Sequence, residues 1–258
     1  MVENINEEIV KALDGDDGRL YPYIPYLLQD LWDIGTNPQT VIGLLKDNNI
    51  AIGKDTRVLD LGCGKGAVSV QLAKAFGVSV YGIDAMGAFI QEAIAKADEY
   101  GVSELCQFEV KDIRDVVQEG KLYDIVIFGA VSPTIVYGNY QDAISSLTKC
   151  IKPGGNLILD DGYIEDDSDY QDSRVCKYSE LMGLFSSNGF TCIEERYETE
   201  TVDLNEYYTE RIRIRANELS AEYPEQAELF MGYVESQEQE CDILANKLVC
   251  ATWLFKYV

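Results

Sequence analysis

The stretch Val58-Leu59-Asp60-Leu61-Gly62-Cys63-Gly64-Lys65-Gly66 decides the fold. An apolar run carrying one acid breaks into glycines at alternate positions. An amphipathic stretch, Ala67 to Phe76, follows. A second apolar run, Val78 to Ile83, is closed by Asp84. The pattern predicts strand, glycine turn, helix, strand and acid, a nucleotide-type βαβ unit. Glycine suits the turn because the backbone must bend sharply from strand to helix while approaching a ligand closely. A residue without Cβ tolerates both the positive φ and the approach. Asp84 stands 20 residues past Gly64, the usual place for a carboxylate that grips ribose hydroxyls.

The spacing separates candidate ligands. A dinucleotide fingerprint reads G-x-G-x-x-G and delivers a pyrophosphate to the helix N-terminus. Here it is G-x-G-x-G, and Asp60 points into the ligand end of the first strand. A carboxylate there repels a pyrophosphate and attracts an ammonium or a sulfonium. S-adenosylmethionine (SAM) carries both cations and no phosphate. The stretch resembles motif I of the class I SAM-dependent methyltransferases, roughly V-L-D-x-G-C-G-x-G, and matches it at every specified position. The resemblance extends over roughly residues 56–160. Asp84 in Tyr-Gly-Ile-Asp resembles the family's ribose-binding acid. Phe108 to Ile113 resembles its third strand and following acid, Tyr123 to Ala130 its fourth strand, and Ile151-Lys152-Pro153-Gly154-Gly155 its turn before the fifth. The resemblance implies SAM as cofactor. Asp60, Gly62, Cys63, Gly64 and Gly66 would hold the methionine half, with the turn at Gly35 beside it. Asp84 would hold the ribose, and Asp112 with Ile113 the adenine. Ala85, Met86, Gly129 and Ala130 complete the expected cofactor set. A dinucleotide-dependent oxidoreductase or an unliganded α/β domain is the competing reading.

With 258 residues, 47% of them hydrophobic, the chain can bury one large α/β core with additions. Lys and Arg total 21 against 45 Asp and Glu, a net charge of −24. Such a surface repels nucleic acid and anionic lipid. A solubility or salt-adaptation effect explains the acidity without any partner. No apolar run is long enough to span a membrane, and the acidic start lacks the features of a signal peptide, so a cytoplasmic protein is expected. The cysteines at 63, 106, 150, 176, 192, 241 and 250 form no C-x-x-C pair. They read as free thiols, and no metal site is expected.

Strands are predicted near 56–61, 78–83, 105–110, 124–129 and 156–160, with helices near 66–76, 86–100 and 139–149. Alternation at this spacing predicts a doubly wound, mostly parallel, seven-stranded sheet, the Rossmann-like methyltransferase fold. Its ligand lies beyond the carboxyl ends of the strands, where Asp60, Gly62, Asp84, Asp112 and Gly129 fall. Residues 1–50 read as an N-terminal helical cap. It contains a helix over 3–13 and another over 38–49, capped by Thr36 or Asn37 with Pro38 in the first turn. The core spans 51–202, with a helix near 176–187 and a strand near 190–198. Residues 203–247 read as an inserted helical hairpin forming a lid. Asp203 and Glu206 fit a capping box, and Pro224 opens the second helix. Residues 248–258 are the last strand.

Methyl transfer from a sulfonium needs water excluded and the nucleophile held in line. The chain has no His, the commonest general base. That leaves an amine arriving neutral, a thiolate, a stabilised carbanion, or a hydroxyl served by Asp, Glu, Tyr or a metal. Candidates for the substrate side are Tyr21, Tyr23, Tyr137, Asp161, Tyr163, Tyr207 and Tyr208, because aromatic rings pack a small substrate and stabilise a cation. Ordinary packing is the rival reading for each of the 17 Tyr. Asp160 and Asp161 can hold an ammonium or a magnesium ion. Arg211, Arg213 and Arg215 diverge on a helix and read as partners of Glu210 and Glu218. Lys65 reads as a first-turn helix residue. Gly129-Ala130-Val131-Ser132-Pro133-Thr134 lacks the [DNS]-P-P-[YFW] signature of the family's base methylases. With the acidity, this points to a small-molecule acceptor, in a monomer or homodimer. Two alternatives stay open: a SAM-binding enzyme with another outcome, and a catalytically idle SAM-binding partner subunit.

Overall fold

The structure, a computed structural model, describes residues 5–197 and 201–258, with the side chains of 201–205 outside that description. The strands are β1 (Arg57–Leu61), β2 (Ser79–Asp84), β3 (Cys106–Val110), β4 (Tyr123–Gly129), β5 (Ile151–Tyr163), β6 (Phe190–Tyr197) and β7 (Val249–Tyr257). The helices are α1 (Ile5–Ala12), α2 (Ile24–Leu27), α3 (Pro38–Asp47), α4 (Ala67–Phe76), α5 (Gly87–Glu99), α6 (Ile113–Gln118), α7 (Pro133–Tyr137), α8 (Tyr140–Leu147), α9 (Tyr178–Ser187), α10 (Thr201–Glu222) and α11 (Ala227–Asn246).

All seven strands form one sheet in the order β3-β2-β1-β4-β5-β7-β6. Neighbours from β3 to β5 run parallel, and β6 pairs antiparallel with β7. This is the doubly wound sheet expected from the alternation. The chain winds outward from β1 to β3, then returns to build on the other side from β4. The order therefore reverses between β1 and β4, which opens a crevice at their carboxyl ends. One face of the sheet buries Val58, Val80, Ile125, Ile127 and Ile158 against Val70 and Leu72 of α4 and Val41 and Leu44 of α3. On the other face Phe185 of α9 stacks on Phe255 of β7 at 4.2 Å between ring centroids.

The chain divides into two compact units. One is the chain up to Leu31 with Glu198–Val249, and the other is Trp32–Tyr197 with Cys250–Val258. Within the first, α10 and α11 pair as a hairpin that buries Phe230, Tyr233 and Val234. Tyr23 meets Phe230 edge-on at 4.9 Å, and the Tyr233 hydroxyl donates to the Leu13 carbonyl at 3.0 Å. The expected capping box at Asp203 lies outside the described residues. Pro224 opens a short 3-10 turn, and α11 begins at Ala227. Among the described residues, no helix is long and apolar enough to cross a membrane.

Several local expectations need correction. The Lys152-Pro153-Gly154-Gly155 segment is not a turn ahead of the fifth strand. It lies inside β5, where the register against β4 slips from Tyr123↔Ile151 to Ile125↔Asn156. Gly154, at φ +77°, permits the excursion. The helices α6 and α7 were not anticipated, because each is too short for a periodic signal. Asn37, not Thr36, caps α3 by accepting the Gln39 amide at 2.8 Å.

Candidate functional site

The glycine turn closes the carboxyl end of β1. Gly62, Gly64 and Gly66 all have positive φ, at +75°, +52° and +77°. A Cβ on Gly62 would stand 2.5 Å from Val131 Cγ2, and one on Gly66 would stand 2.8 Å from Ala93 Cβ of α5. The first glycine thus admits the loop after β4, and the last lets α5 pack close. The Gly62 and Cys63 amides both donate to the Ile83 carbonyl at 2.9 Å, locking the turn to β2. Cys63 is buried, and burial holds its thiol well above the ordinary range.

Two carboxylates flank the turn. Asp60 is buried, and its Oδ2 accepts the Ser69 hydroxyl at 2.6 Å. Burial raises Asp60 to about 6, against the pull of Ser69 and with a further push from Asp84. Asp84 braces the site. Its Oδ2 accepts the Gly64 amide at 2.9 Å and its Oδ1 the Met86 amide at 2.8 Å. Burial raises its pKa, and the two amides oppose that rise. Each Asp84 oxygen still has a lone pair for a ligand hydroxyl. Met86 is buried as the residue ahead of α5. Asp112 caps α6, accepting the Arg114 amide at 2.8 Å and its guanidinium at 2.6 Å. Burial pushes Asp112 up, but the Arg114 bonds outweigh it and hold the carboxyl below its usual range. Ile113 beside it is buried.

A third wall comes from Ile34-Gly35-Thr36. A Cβ on Gly35 would stand 2.8 Å from Ala130 Cβ, and one on Gly129 would stand 2.1 Å from Thr36 Oγ1. Ala130 itself adopts φ +52°, and its amide donates to the Asp160 carbonyl at 2.9 Å. The Thr36 hydroxyl is buried with no hydrogen-bond partner among the described residues. The expected residues Gly35, Asp60, Gly62, Gly64, Gly129 and Ala130 are therefore gathered at one crevice, through Val131, Ile34 and Thr36.

Lys65 is not a first-turn helix residue. It precedes the αL residue Gly66, the N-cap of α4. Its ammonium is buried 2.9 Å from Glu92 and lies 5.5 Å over the Phe89 ring, while its carbonyl accepts the Trp32 indole N–H at 3.0 Å. The cation of the loop is thus turned into α5. Sequence reading gave Thr36 only as a possible helix cap and Lys65 only as a first-turn residue, and it did not single out Ser69, because these contacts are made across elements.

The crevice suits a cationic, phosphate-free adenosine compound: Asp60 and Asp84 flank the glycine turn, and the turn's own cation, Lys65, is directed away to Glu92. Residues 52–216 match the model of a methyltransferase domain family. The chain belongs to that family. SAM is the methyl donor of these class I methyltransferases. The Escherichia coli protein YjhP is 33% identical over 42% of this chain and 42% of its own length. The sterol 24-C-methyltransferase ERG6A of Gibberella zeae is 24% identical over 55% of this chain and 41% of its own length. The match thus spans about two-fifths of the length of these curated relatives. A SAM-dependent methyltransferase from Geobacter sulfurreducens, solved with S-adenosylhomocysteine, shares the fold. Its TM-score is 0.70, with 22% identity over 86% of this chain and 92% of that one.

The substrate-side candidates scatter. Tyr163 is buried against Tyr178 and Trp253, at 4.8 and 5.9 Å between centroids. Tyr137 of α7 has a buried hydroxyl near Ser146 of α8, and burial raises it well above the ordinary range. Asp161 accepts the Tyr140 hydroxyl at 2.8 Å. Tyr21, Tyr23, Tyr207 and Tyr208 belong to the first unit. There Tyr23 packs on Phe230, and Tyr207 lies beside Tyr208 and under Arg211. The arginines of α10 diverge as expected: Arg213 pairs with Glu210 and Glu238, and Arg215 with Glu218 and Asp30.

Proposed function

We propose that this chain moves the SAM methyl group to a small-molecule acceptor. The observation that carries the reading is the pair Asp60 and Asp84 around a positive-φ glycine turn whose own cation, Lys65, is buried against Glu92. That environment favours a sulfonium and an ammonium over a diphosphate. Asp60 and the Gly62–Gly66 backbone would hold the methionine half, with Gly35, Gly129 and Ala130 beside it. Asp84 would take the ribose hydroxyls on its remaining lone pairs. Ala85, Met86, Asp112 and Ile113 would line the adenine side. The cofactor supplies an electrophilic methyl, whose leaving group needs no proton. The protein's part is to hold the acceptor in line and keep water out.

A small acceptor is supported by the strong negative charge, by the lack of a base-methylase signature after β4, and by the sterol acceptor in the name of one relative. Calorimetry tests the cofactor. S-adenosylhomocysteine should bind in the micromolar range and NADH not at all; the reverse result ends the proposal. Asp84→Ala should weaken S-adenosylhomocysteine by about tenfold or more, as loss of charge-assisted bonds implies. An unchanged affinity would remove Asp84 from the ribose site.

A further inference from the structure

Helix α5 grips the glycine turn along one face. Ala93 packs on Gly66, where an added Cβ would stand 2.8 Å from the Ala93 Cβ. Phe89 and Glu92 receive Lys65, whose ammonium lies 2.9 Å from Glu92 Oε2 and 5.5 Å over the Phe89 ring. Farther along, Lys96 lies 5.1 Å over the Trp32 ring, and Tyr100 meets that ring at 5.0 Å between centroids. The Trp32 indole N–H returns to the turn by donating to the Lys65 carbonyl at 3.0 Å. Residues 89, 92, 93, 96 and 100 recur at helical spacing and so share a face. Met86, the N-cap of α5, adds a further hold, because Asp84 accepts both its amide and the Gly64 amide.

The ion pair in this grip is lopsided. The Lys65 side chain is 0% exposed and the Glu92 side chain 40% exposed. Lysine is seldom fully buried without a charged partner. Breaking such a pair by removing one member leaves the buried charge uncompensated. Water screens the Glu92 end, while the Lys65 end lies where screening is weak and a charge acts over a longer range. Lys65 stands between Gly64 and Gly66, inside the turn that Asp60 and Asp84 flank. With Glu92 present, the lysine charge is met on the α5 side and the crevice keeps the negative character of its two acids. Without Glu92, the same ammonium opposes a cation bound at the turn.

We propose that Glu92 is a positioning residue that sets cofactor specificity: by compensating Lys65 from the α5 side, it lets the glycine turn prefer SAM over S-adenosylhomocysteine. The inference rests on the cofactor placement proposed above and assigns a part to a residue outside that set. SAM and S-adenosylhomocysteine differ by one methyl group and one positive charge, both on sulfur. A charge exposed in the turn therefore separates the two, whereas a distorted turn weakens both alike. The same preference lets the spent cofactor leave more readily than the methyl donor, which limits inhibition by product.

The test is calorimetry on the full chain at neutral pH, measuring SAM and S-adenosylhomocysteine separately. The proteins are wild type, Glu92→Gln, Lys65→Met and the double variant. Glu92→Gln should weaken SAM by about fivefold or more beyond any loss for S-adenosylhomocysteine, as one added charge in a partly buried site implies. Lys65→Met removes the charge that needs compensation, so its ratio of SAM to S-adenosylhomocysteine affinity should equal or exceed that of wild type. The double variant should regain the wild-type ratio. A merely structural Glu92 would weaken both ligands by one factor, and loss of the lysine would not repair it. Equal losses in Glu92→Gln, or a ratio that stays low in the double variant, overturns the inference. Should Glu92→Gln fail to fold, Lys65→Met decides, and a ratio below wild type overturns the inference. Wild type that binds neither ligand would strike the cofactor placement and this inference with it. Wild type that binds both, with a ratio Glu92→Gln leaves unmoved, would strike this inference alone.

Discussion

At the scale of single residues, the site holds a carboxylate in surroundings that oppose its charge. Asp60 is raised to about 6, mainly by burial, from an unfolded value near ~3.9. Between these values the folded state binds the extra proton, so this group's contribution to stability is full below the lower value. It is lost as pH rises through the upper one. At neutral pH the charged Asp60 therefore costs the ligand-free protein on the order of 2–3 kcal/mol. Asp60→Asn should raise the melting temperature of the free protein by several degrees at pH ~7.5, with the gain shrinking toward pH ~5. The same variant should bind S-adenosylhomocysteine more weakly. A melting temperature that falls or a gain independent of pH would contradict the assignment. Asp84 works the other way for the backbone. Its loss in Asp84→Ala leaves the Gly64 and Met86 amides without their acceptor, so thermal denaturation should show a loss of about 1–3 kcal/mol. Asp60 and Asp84 were both legible in the sequence, because each follows an apolar run at a strand end. Ser69 was not, since nothing in a helix sequence tells which hydroxyl turns back toward a strand.

At the scale of elements, three short turns interlock: Ile34–Thr36, the glycine turn after β1, and Gly129–Val131. Thr36 Oγ1 occupies the place a Cβ on Gly129 would need, at 2.1 Å. Gly129→Ala should therefore cost about 1–3 kcal/mol, as overpacking does. Thr36→Ala should relieve part of that cost, giving a coupling of about 0.5 kcal/mol or more in a double-mutant cycle followed by chemical denaturation. Strict additivity would mean that the two residues do not share the space. The strands and long helices of the sheet were readable because period-2 and period-3.6 patterns persist over whole elements. The short α6 and α7 and the excursion inside β5 were not. A helix of five or six residues gives no periodic signal, and a bulge depends on the register of the neighbouring strand.

At the scale of the whole molecule, the charge of −24 is a standing self-repulsion. Raising ionic strength from about 0.01 M to about 0.1 M shortens the screening length from about 30 to about 10 Å. The melting temperature in calorimetry should rise over that range, and a flat or falling curve would show that local ion pairs outweigh the net charge. The grouping of elements could not be read in advance. The sequence suggested one cap over residues 1–50, yet α3 buries Val41 and Leu44 with the sheet while the chain up to Leu31 groups with the hairpin. Each segment carries an apolar stripe, and a stripe does not say which surface covers it.

The amino-acid order by itself determined the doubly wound sheet, the placement of the acids at its carboxyl edge and the methyltransferase family. Backbone periodicity and the glycine spacing are local properties, written in consecutive residues. Only the tertiary structure decided which polar atoms meet: Ser69 on Asp60, Tyr140 on Asp161, Thr36 over Gly129, and Lys65 turned into α5. Those meetings depend on which elements become neighbours and in what register, and burial then sets the charge each group can carry.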